Sequence, residues 1–237
     1  MVSSEFWKGK RVLITGHSGF KGSWLSLWLN KLGAEVMGFS LRPEESSGIF
    51  YQAKIASVVE SIFGDIRDYE IMKSNMLAFK PEIIFHLAAQ PLVRDSYLDP
   101  LETYSTNVLG TANVLQAARS IDYCKAIVVV TSDKCYENEE LNRPFQEQDP
   151  MGGHDPYSAS KGCAELVTQS FRKSYFQESE VFLASARAGN VIGGGDWSKD
   201  RLIPDMVRAV QSGLKIELRN PKATRPWQHV LDPLSGY

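Results

Sequence analysis

The sequence predicts an α/β protein built on a doubly wound parallel sheet, with part of a small C-terminal lobe, and three observations predict it. A β-branched run at residues 10–15 breaks into spaced glycines and then into a helical period. Short apolar runs alternate with helical periods as far as residue 186, the pattern of a parallel sheet wrapped by helices. The apolar runs at 83–89 and 125–131 are continuous rather than alternating, as in strands covered on both faces.

Lys10-Arg11-Val12-Leu13-Ile14-Thr15 reads as the first strand, and the run from Ser23 to Leu32 as the first helix. The turn between them carries the cofactor candidates Gly16, Gly19, Phe20, Lys21 and Gly22. Gly16 makes the sharp turn, Gly19 lets the backbone approach a pyrophosphate, and Gly22 lets the helix pack closely on the strand. Free N–H groups and the helix dipole favour negative charge there, so the implied ligand is a dinucleotide. The Gly-x-x-Gly-x-x-Gly spacing differs from the commoner Gly-x-Gly-x-x-Gly, and a glycine turn alone could serve packing only.

Glu35–Ser40 reads as the second strand. Its end, roughly twenty residues beyond the turn, is where a carboxylate would hold the adenosine ribose. Ser40 stands there instead, with Arg42 close behind, which leaves NAD against NADP open. The third strand is expected in Val58–Phe63, ending in Gly64-Asp65-Ile66. Asp65 and Ile66 suit a contact to adenine, or Asp65 caps the helix expected over Tyr69–Phe79. Pro81 resets the chain for the strand at Ile83–Ala89, whose Leu87-Ala88-Ala89 end leaves room for a flat cofactor.

Leu101, Tyr104, Val108, Ala112 and Leu115 follow helical spacing, with Asn107 and Asn113 on other faces. Lys125–Thr131 is a valine-rich strand ending at Ser132-Asp133-Lys134, and Val181–Ala186 is a later one. Ligands of such sheets bind at the carboxyl ends of strands, so the glycine turn, Ala88-Ala89 and Ser132-Asp133-Lys134 should face one crevice. From Gly193 onward Gly, Pro and Trp accumulate and periodicity weakens, as in loops and short elements over that crevice. Residues 1–186 are therefore expected to bind the dinucleotide and 187–237 to form part of a substrate segment.

The 237 residues, 43% of them apolar, can fill a sizeable core. Lys and Arg number 26 against 28 Asp and Glu, and a net charge of -2 gives no reason to expect nucleic acid or an anionic membrane as partner. Cys124, Cys135 and Cys163 show no Cys-x-x-Cys pair, so neither disulfides nor zinc are indicated, and a reducing cytoplasm fits. No apolar run reaches the roughly 18 residues of a membrane span, and the first ten residues lack a signal-peptide core. His17, His86 and His154 have no metal-ligand spacing, so no metal is expected.

Asp155 is a good N-cap and Pro156 suits the first helical position, which places Tyr157 and Lys161 one turn apart on one face. A nearby lysine cation and the positive helix end both favour a phenolate, making Tyr157 a possible base, while Lys161 could also hold the nicotinamide ribose. Tyr-x-x-x-Lys alone is common as packing. Behind a dinucleotide turn and a strand ending in Ser132 it gains meaning, because hydride transfer from an alcohol needs a proton acceptor.

Gly16-x-x-Gly19-x-x-Gly22, Asn107, Ser132 and Tyr157-x-x-x-Lys161 together resemble the extended, nucleotide-sugar branch of the short-chain dehydrogenase/reductase superfamily, over essentially the whole chain. Thr131-Ser132-Asp133-Lys134-Cys135-Tyr136, residues 187–197 and Arg225-Pro226-Trp227-Gln228-His229-Val230 resemble, within it, the CDP-glucose 4,6-dehydratase family. The resemblance implies dehydration of CDP-D-glucose with NAD as a recycled cofactor, and no net redox change. It implies Tyr157, helped by Ser132 and Lys161, as base at the sugar 4-hydroxyl, Asp133 as acid on the leaving hydroxyl, and Asn107 on the cofactor side.

Lys134 stands where related dTDP-glucose enzymes carry a glutamate, the base at C5. A lysine is a base only when neutral, so burial or Lys161 would have to depress it; otherwise it acts electrostatically on the enolate. Asn190, Arg201, Arg225 and His229 fall where the family contacts the nucleotide diphosphate and ribose, although Arg225 and Trp227 could simply pack on the surface. The superfamily pattern further implies a homodimer or homotetramer. Family members continue beyond the segment equivalent to Gly236-Tyr237, so this chain is expected to lack the last part of the substrate lobe and to bind sugar nucleotide poorly. Two rivals stand: an epimerase, in which small residues follow the serine, and a non-catalytic dinucleotide sensor, in which the Tyr157/Lys161 pair would be damaged.

Overall fold

A computed structural model describes residues 3–43, 48–138 and 143–237. In chain order the elements are α1 (Ser4–Trp7), β1 (Arg11–Thr15), α2 (Phe20–Lys31), β2 (Glu35–Ser40), α3 (Ile49–Gln52), β3 (Glu60–Phe63), α4 (Tyr69–Phe79), β4 (Ile83–His86), α5 (Val93–Leu98) and α6 (Pro100–Tyr104). A π turn at Ser105–Leu109 joins α6 to α7 (Gly110–Ala118) without a break. Then follow β5 (Ala126–Val130), a 3-10 turn at Asp133–Cys135, α8 (Pro156–Phe171), β6 (Phe182–Ala186), β7 (Val191–Ile192), α9 (Leu202–Gln211), β8 (Gln228–His229) and α10 (Leu231–Gly236).

The six long strands form one parallel sheet in the order β3-β2-β1-β4-β5-β6, the Rossmann-type arrangement the sequence predicts. β1 is the centre: Val12 lies opposite Val36 on one side and Ile83 on the other. Strand order reverses between β1 and β4, which opens a crevice at their carboxyl ends. Side chains alternate along β1. Leu13 points with Ile84 and Ile127 into a core that Met72 and Met76 of α4 and Val114 and Leu115 of α7 complete. Val12 and Ile14 point with Ile83 and Phe85 into a second core, filled by Leu25 and Leu29 of α2 and by Val230 and Leu234 near the C-terminus. Burial on both faces is why these strands carry no polar alternation.

Four expectations need adjustment. Helix α2 begins at Phe20 rather than Ser23, because the Ser23 amide already donates to Gly19 O at 2.9 Å. Helix α4 is capped by Asp68, whose carboxylate accepts from Ile71 N at 3.1 Å; Asp65 instead closes the preceding turn by accepting from Arg67 N at 2.8 Å. The helix from Leu101 carries a π turn at its middle, which turns Asn107 inward. The segment after Gly193, read as loops and short elements, holds the ten-residue α9 and β8, which pairs back onto β7. No helix among the described residues is long and apolar enough to cross a membrane.

Candidate active site

The glycine turn is shaped by two close approaches. Gly16 has φ of +78°, and a Cβ there would lie 2.7 Å from Ala88 N. A Cβ on Gly22 would lie 2.0 Å from Gly16 O, so only glycine lets α2 start against β1. Gly19, the N-cap of α2, has no side-chain cap, and the nearest atom to a Cβ there is Gly16 O at 3.4 Å. The first amides of α2 thus have no side-chain partner and line a cavity of about 890 Å³, a size that suits a cofactor together with a small substrate. A closed cradle beneath and free helix-end donors above are what a dinucleotide pyrophosphate requires, so the residues present fit that group.

The cavity collects most of the predicted residues. Phe20, Lys21 and Ser40 line it beside the turn, Asp65 and Ile66 at the tip of β3, and Leu87, Ala88 and Ala89 after β4. Ser132, Asp133, Lys134, Tyr157 and Lys161 line its other wall, and Asn190, Arg201 and Arg225 its C-terminal rim. Asn107 and His229 do not line it. Asn107 is buried, accepting from Gln90 N at 2.8 Å and donating to Gln90 O at 3.1 Å and Ser160 Oγ at 2.8 Å. Its amide is fully committed to holding the chain after β4 against α8. His229 is exposed on β8, where its Nδ1 accepts from Leu231 N at 3.3 Å and its ring meets Trp24 edge-on.

Each wall is positioned by local chemistry. Asp155 caps α8, accepting from Ser158 N at 2.9 Å and Ser158 Oγ at 2.6 Å, and Tyr157 N donates to Ser96 Oγ at 3.1 Å. At the end of β5, Ser132 Oγ lies 3.0 Å from Asp133 Oδ1 and accepts from Lys134 N at 3.2 Å. The adenosine end is stiffened in two ways. Arg67 binds both oxygens of Asp65 and pairs with Glu102, which holds the Asp65 carboxyl below its ordinary range. The Ser40 hydroxyl lies 3.0 Å from His17 Nδ1 and 2.8 Å from Ser18 Oγ. Arg42 stacks on Phe63, 4.2 Å from the ring centre.

The electrostatics differ from the sequence argument at one point. Burial raises the Tyr157 phenol; a hydrogen bond with Ser132 and the charge of Arg201 pull it back down, whereas Asp133 and Asp155 oppose them. Arg201 adds a cation favouring the phenolate that the sequence argument did not name. Lys161 is itself buried, donates to Val130 O at 3.5 Å, and is lowered to about 8 by burial and by Lys21. Burial and Arg201 lower Lys21 to about 8 as well, against Asp133. Lys134 is exposed, so the burial a neutral lysine needs is met at Lys21 and Lys161 instead. His17 and His86 are buried structural pins, lowered to about 4 and about 3 by burial; His86 bridges Thr15 at 2.7 Å and Thr111 at 3.0 Å. No cluster of metal-ligating side chains occurs among the described residues.

Sequence reasoning missed several cavity residues. Arg94 of α5 meets Asp200 at 2.8 Å, which also meets Arg219 at 2.9 Å, a bridge across the cavity mouth between segments over a hundred residues apart. Lys21 Nζ donates to Tyr237 Oη at 3.1 Å. Of these residues only Lys21 was singled out in the sequence; the others are brought together by the folded path.

Comparison with known proteins places these features in context. The family model described as GDP-mannose 4,6 dehydratase matches residues 13–237. The chain is 54% identical over 242 residues to the CDP-glucose 4,6-dehydratase of Salmonella typhimurium, covering all of this chain and 67% of that protein. It is 30% identical to the GDP-mannose 4,6-dehydratase sdnI of Sordaria araneosa, of which it spans only 43%. Among solved structures, DesIV, the dTDP-glucose 4,6-dehydratase of Streptomyces venezuelae with NAD and TYD bound, superposes with a TM-score of 0.82 at 26% identity, over 95% of this chain and 70% of that one.

Proposed function

The chain belongs to the GDP-mannose 4,6 dehydratase family, and from that premise we propose that it dehydrates CDP-D-glucose to CDP-4-dehydro-6-deoxy-D-glucose with NAD. The observation that carries the reading is that Asp133 opens into the same cavity as Tyr157 and Ser132, beside the glycine turn. A dehydrogenase needs a base alone; a dehydratase also needs an acid for the departing hydroxyl. NAD bound on the turn supplies reversible hydride acceptance, which is why no net redox change results.

The residues divide the remaining work. Tyr157 takes the proton of the sugar 4-hydroxyl, with the Ser132 hydroxyl and the Arg201 charge favouring its phenolate. The ketone so formed at C4 makes the C5 proton acidic. The C5 proton passes to solvent water beside exposed Lys134, whose side chain lies toward the enolate, Asp133 gives its proton to the 6-hydroxyl as water leaves, and a solvent proton returns to C5 as C6 is reduced. Lys161 and Lys21 hold the cofactor, while Asn190, Arg201 and Arg225 meet the nucleotide diphosphate.

Residues 1–186 serve the cofactor and 187–237 the substrate. The exposed apolar side chains Tyr97, Leu98 and Leu101 of α5 and α6 and Leu166 of α8 supply a face for a homodimer or homotetramer, which sedimentation tests. The buried free cysteines Cys124 and Cys135 suit a reducing cytoplasm.

Incubation with CDP-, dTDP-, GDP- and UDP-glucose in parallel tests the substrate. A 4-keto product that absorbs in strong base, formed fastest from CDP-glucose, is expected. Formation of CDP-galactose instead would identify an epimerase.

A further inference from the structure

One turn past Lys161 on α8, Glu165 is 4% exposed and both its oxygens are taken. Oε1 accepts from Thr131 Oγ1 and from Arg187 Nε at 2.9 Å; Oε2 accepts from Ser185 Oγ at 2.7 Å and from Arg187 Nη2 at 3.0 Å. Arg187 Nη1 donates onward to Tyr136 Oη at 2.8 Å and Glu147 O at 3.2 Å, and its guanidinium stacks 4.8 Å from the Tyr136 ring centre.

No step of the dehydration uses this pair, and a buried ion pair is a poor source of stability, since apolar side chains of like volume often do as well. Its placement suggests another purpose. Thr131 is the residue before Ser132, and Arg187 the residue before Ala188, whose carbonyl accepts from Asp133 N at 3.2 Å. Tyr136 follows the 3-10 turn that Asp133 opens. One bidentate clamp therefore ties the acid-and-serine loop to the helix that carries the base.

We propose that Glu165 and Arg187 are positioning residues that hold the Ser132 hydroxyl against the Tyr157 phenol by locking the end of β5 to α8. The proposal rests on the reading of Tyr157 and Ser132 as the proton-handling pair. The groups facing the phenol are Ser132 and Asp133 from the loop after β5, Asp155 from the cap of α8, Arg201 from the C-terminal segment, and Tyr237. None is replaced in the test.

The double variant Glu165→Gln/Arg187→Met removes both charges, so no unpaired buried ion is left to unfold the chain, and Arg187→Lys is the conservative partner. Ultraviolet difference titration against the same background carrying Tyr157→Phe reads the phenol directly, without substrate. In the double variant it should titrate about half to one pH unit higher, as loss of one hydrogen bond to the charged form demands. Turnover of CDP-glucose should fall roughly 10- to 100-fold with KM moving less than about threefold, because a misplacement near 1 Å costs rate rather than binding. Arg187→Lys should recover part of both.

A Tyr157 titration that stays in place in the folded variants overturns the proposal, as does unchanged turnover. Should the double variant fail to fold, the titration of Arg187→Lys alone decides, an upward shift supporting the clamp and none refuting it. Absence of CDP-glucose turnover in the unaltered protein would defeat the functional reading instead, while the titration still judges the clamp.

Discussion

Replacing Gly22 by alanine sets two effects of opposite sign against each other. Helix propensity favours alanine over glycine inside α2 by about 1 kcal/mol. The new Cβ, however, would stand 2.0 Å from Gly16 O, where ordinary contact begins at 3.4 Å. Neither atom can rotate away, because both belong to backbone, so α2 must lift from β1 or the turn must open by more than an ångström. Overpacking of this kind costs about 1–3 kcal/mol, and every kcal/mol lowers the melting temperature of a chain this size by about 2–4 °C. Displaced helix-end amides also lose the pyrophosphate, at about tenfold in affinity per 1.4 kcal/mol. Scanning calorimetry and titration with NAD read the two effects separately. The control lies one turn along the same helix: Ser26 is buried and its hydroxyl has no hydrogen-bond partner among the described residues, so Ser26→Ala should hold or raise stability and leave NAD binding alone. A Gly22→Ala protein that melts at or above the unaltered one and binds NAD equally well would refute the role assigned to the turn.

Three further outcomes follow. Tyr157→Phe should lower turnover by about 10²–10⁴-fold while NAD binding stays within about threefold, as calorimetry and product assays together will show; full turnover would remove Tyr157 as the base. Asp133→Asn should still exchange the C5 proton with deuterated solvent but release little 6-deoxy product, and loss of both together would assign Asp133 to an earlier step. The unfolded chain protonates histidine near 6.5, whereas folding keeps His17 neutral to about 4 and His86 to about 3. Fewer protons bind to the folded state in that window, so stability present above pH 6.5 is lost as pH falls, by up to about 1.4 kcal/mol per pH unit for each histidine. Melting curves between pH 6.5 and 5 should slope downward toward acid, less so in His86→Asn, and a flat profile would show that these imidazoles are protonated when folded.

Legibility of the fold and site in the sequence depended on how local the signal was. The glycine turn was readable because its demands are steric and fall within seven residues, as the Gly16 and Gly22 approaches confirm. The strands were readable because burial on two faces leaves no polar alternation. The start of α2 was misplaced by three residues because its cap, Gly19, acts without a side chain. Two aspartates three residues apart could each have capped α4, and only the folded turn separates Asp65 from Asp68. Tyr157 and Lys161 were correctly placed on one wall, yet a further charge favouring the phenolate comes from Arg201, 44 positions away in sequence, which no spacing encodes. The misplacement of His229 has the same origin: its strand exists only by pairing with β7, some 37 residues earlier.

The central position of β1 also has a consequence for how the chain is made. Its neighbour β2 emerges within the next twenty-five residues, but the strand that covers its other edge, β4, comes only after β3 and α4. During synthesis from the N-terminus, Val12, Leu13 and Ile14 therefore wait with one flank of amides and carbonyls unpaired until residue 86 has left the ribosome. A row of open backbone groups on an apolar strand is a template for joining other chains, so the interval between translating β2 and β4 is when a nascent molecule is most exposed to aggregation, and slowing the ribosome there should lower the yield of folded protein.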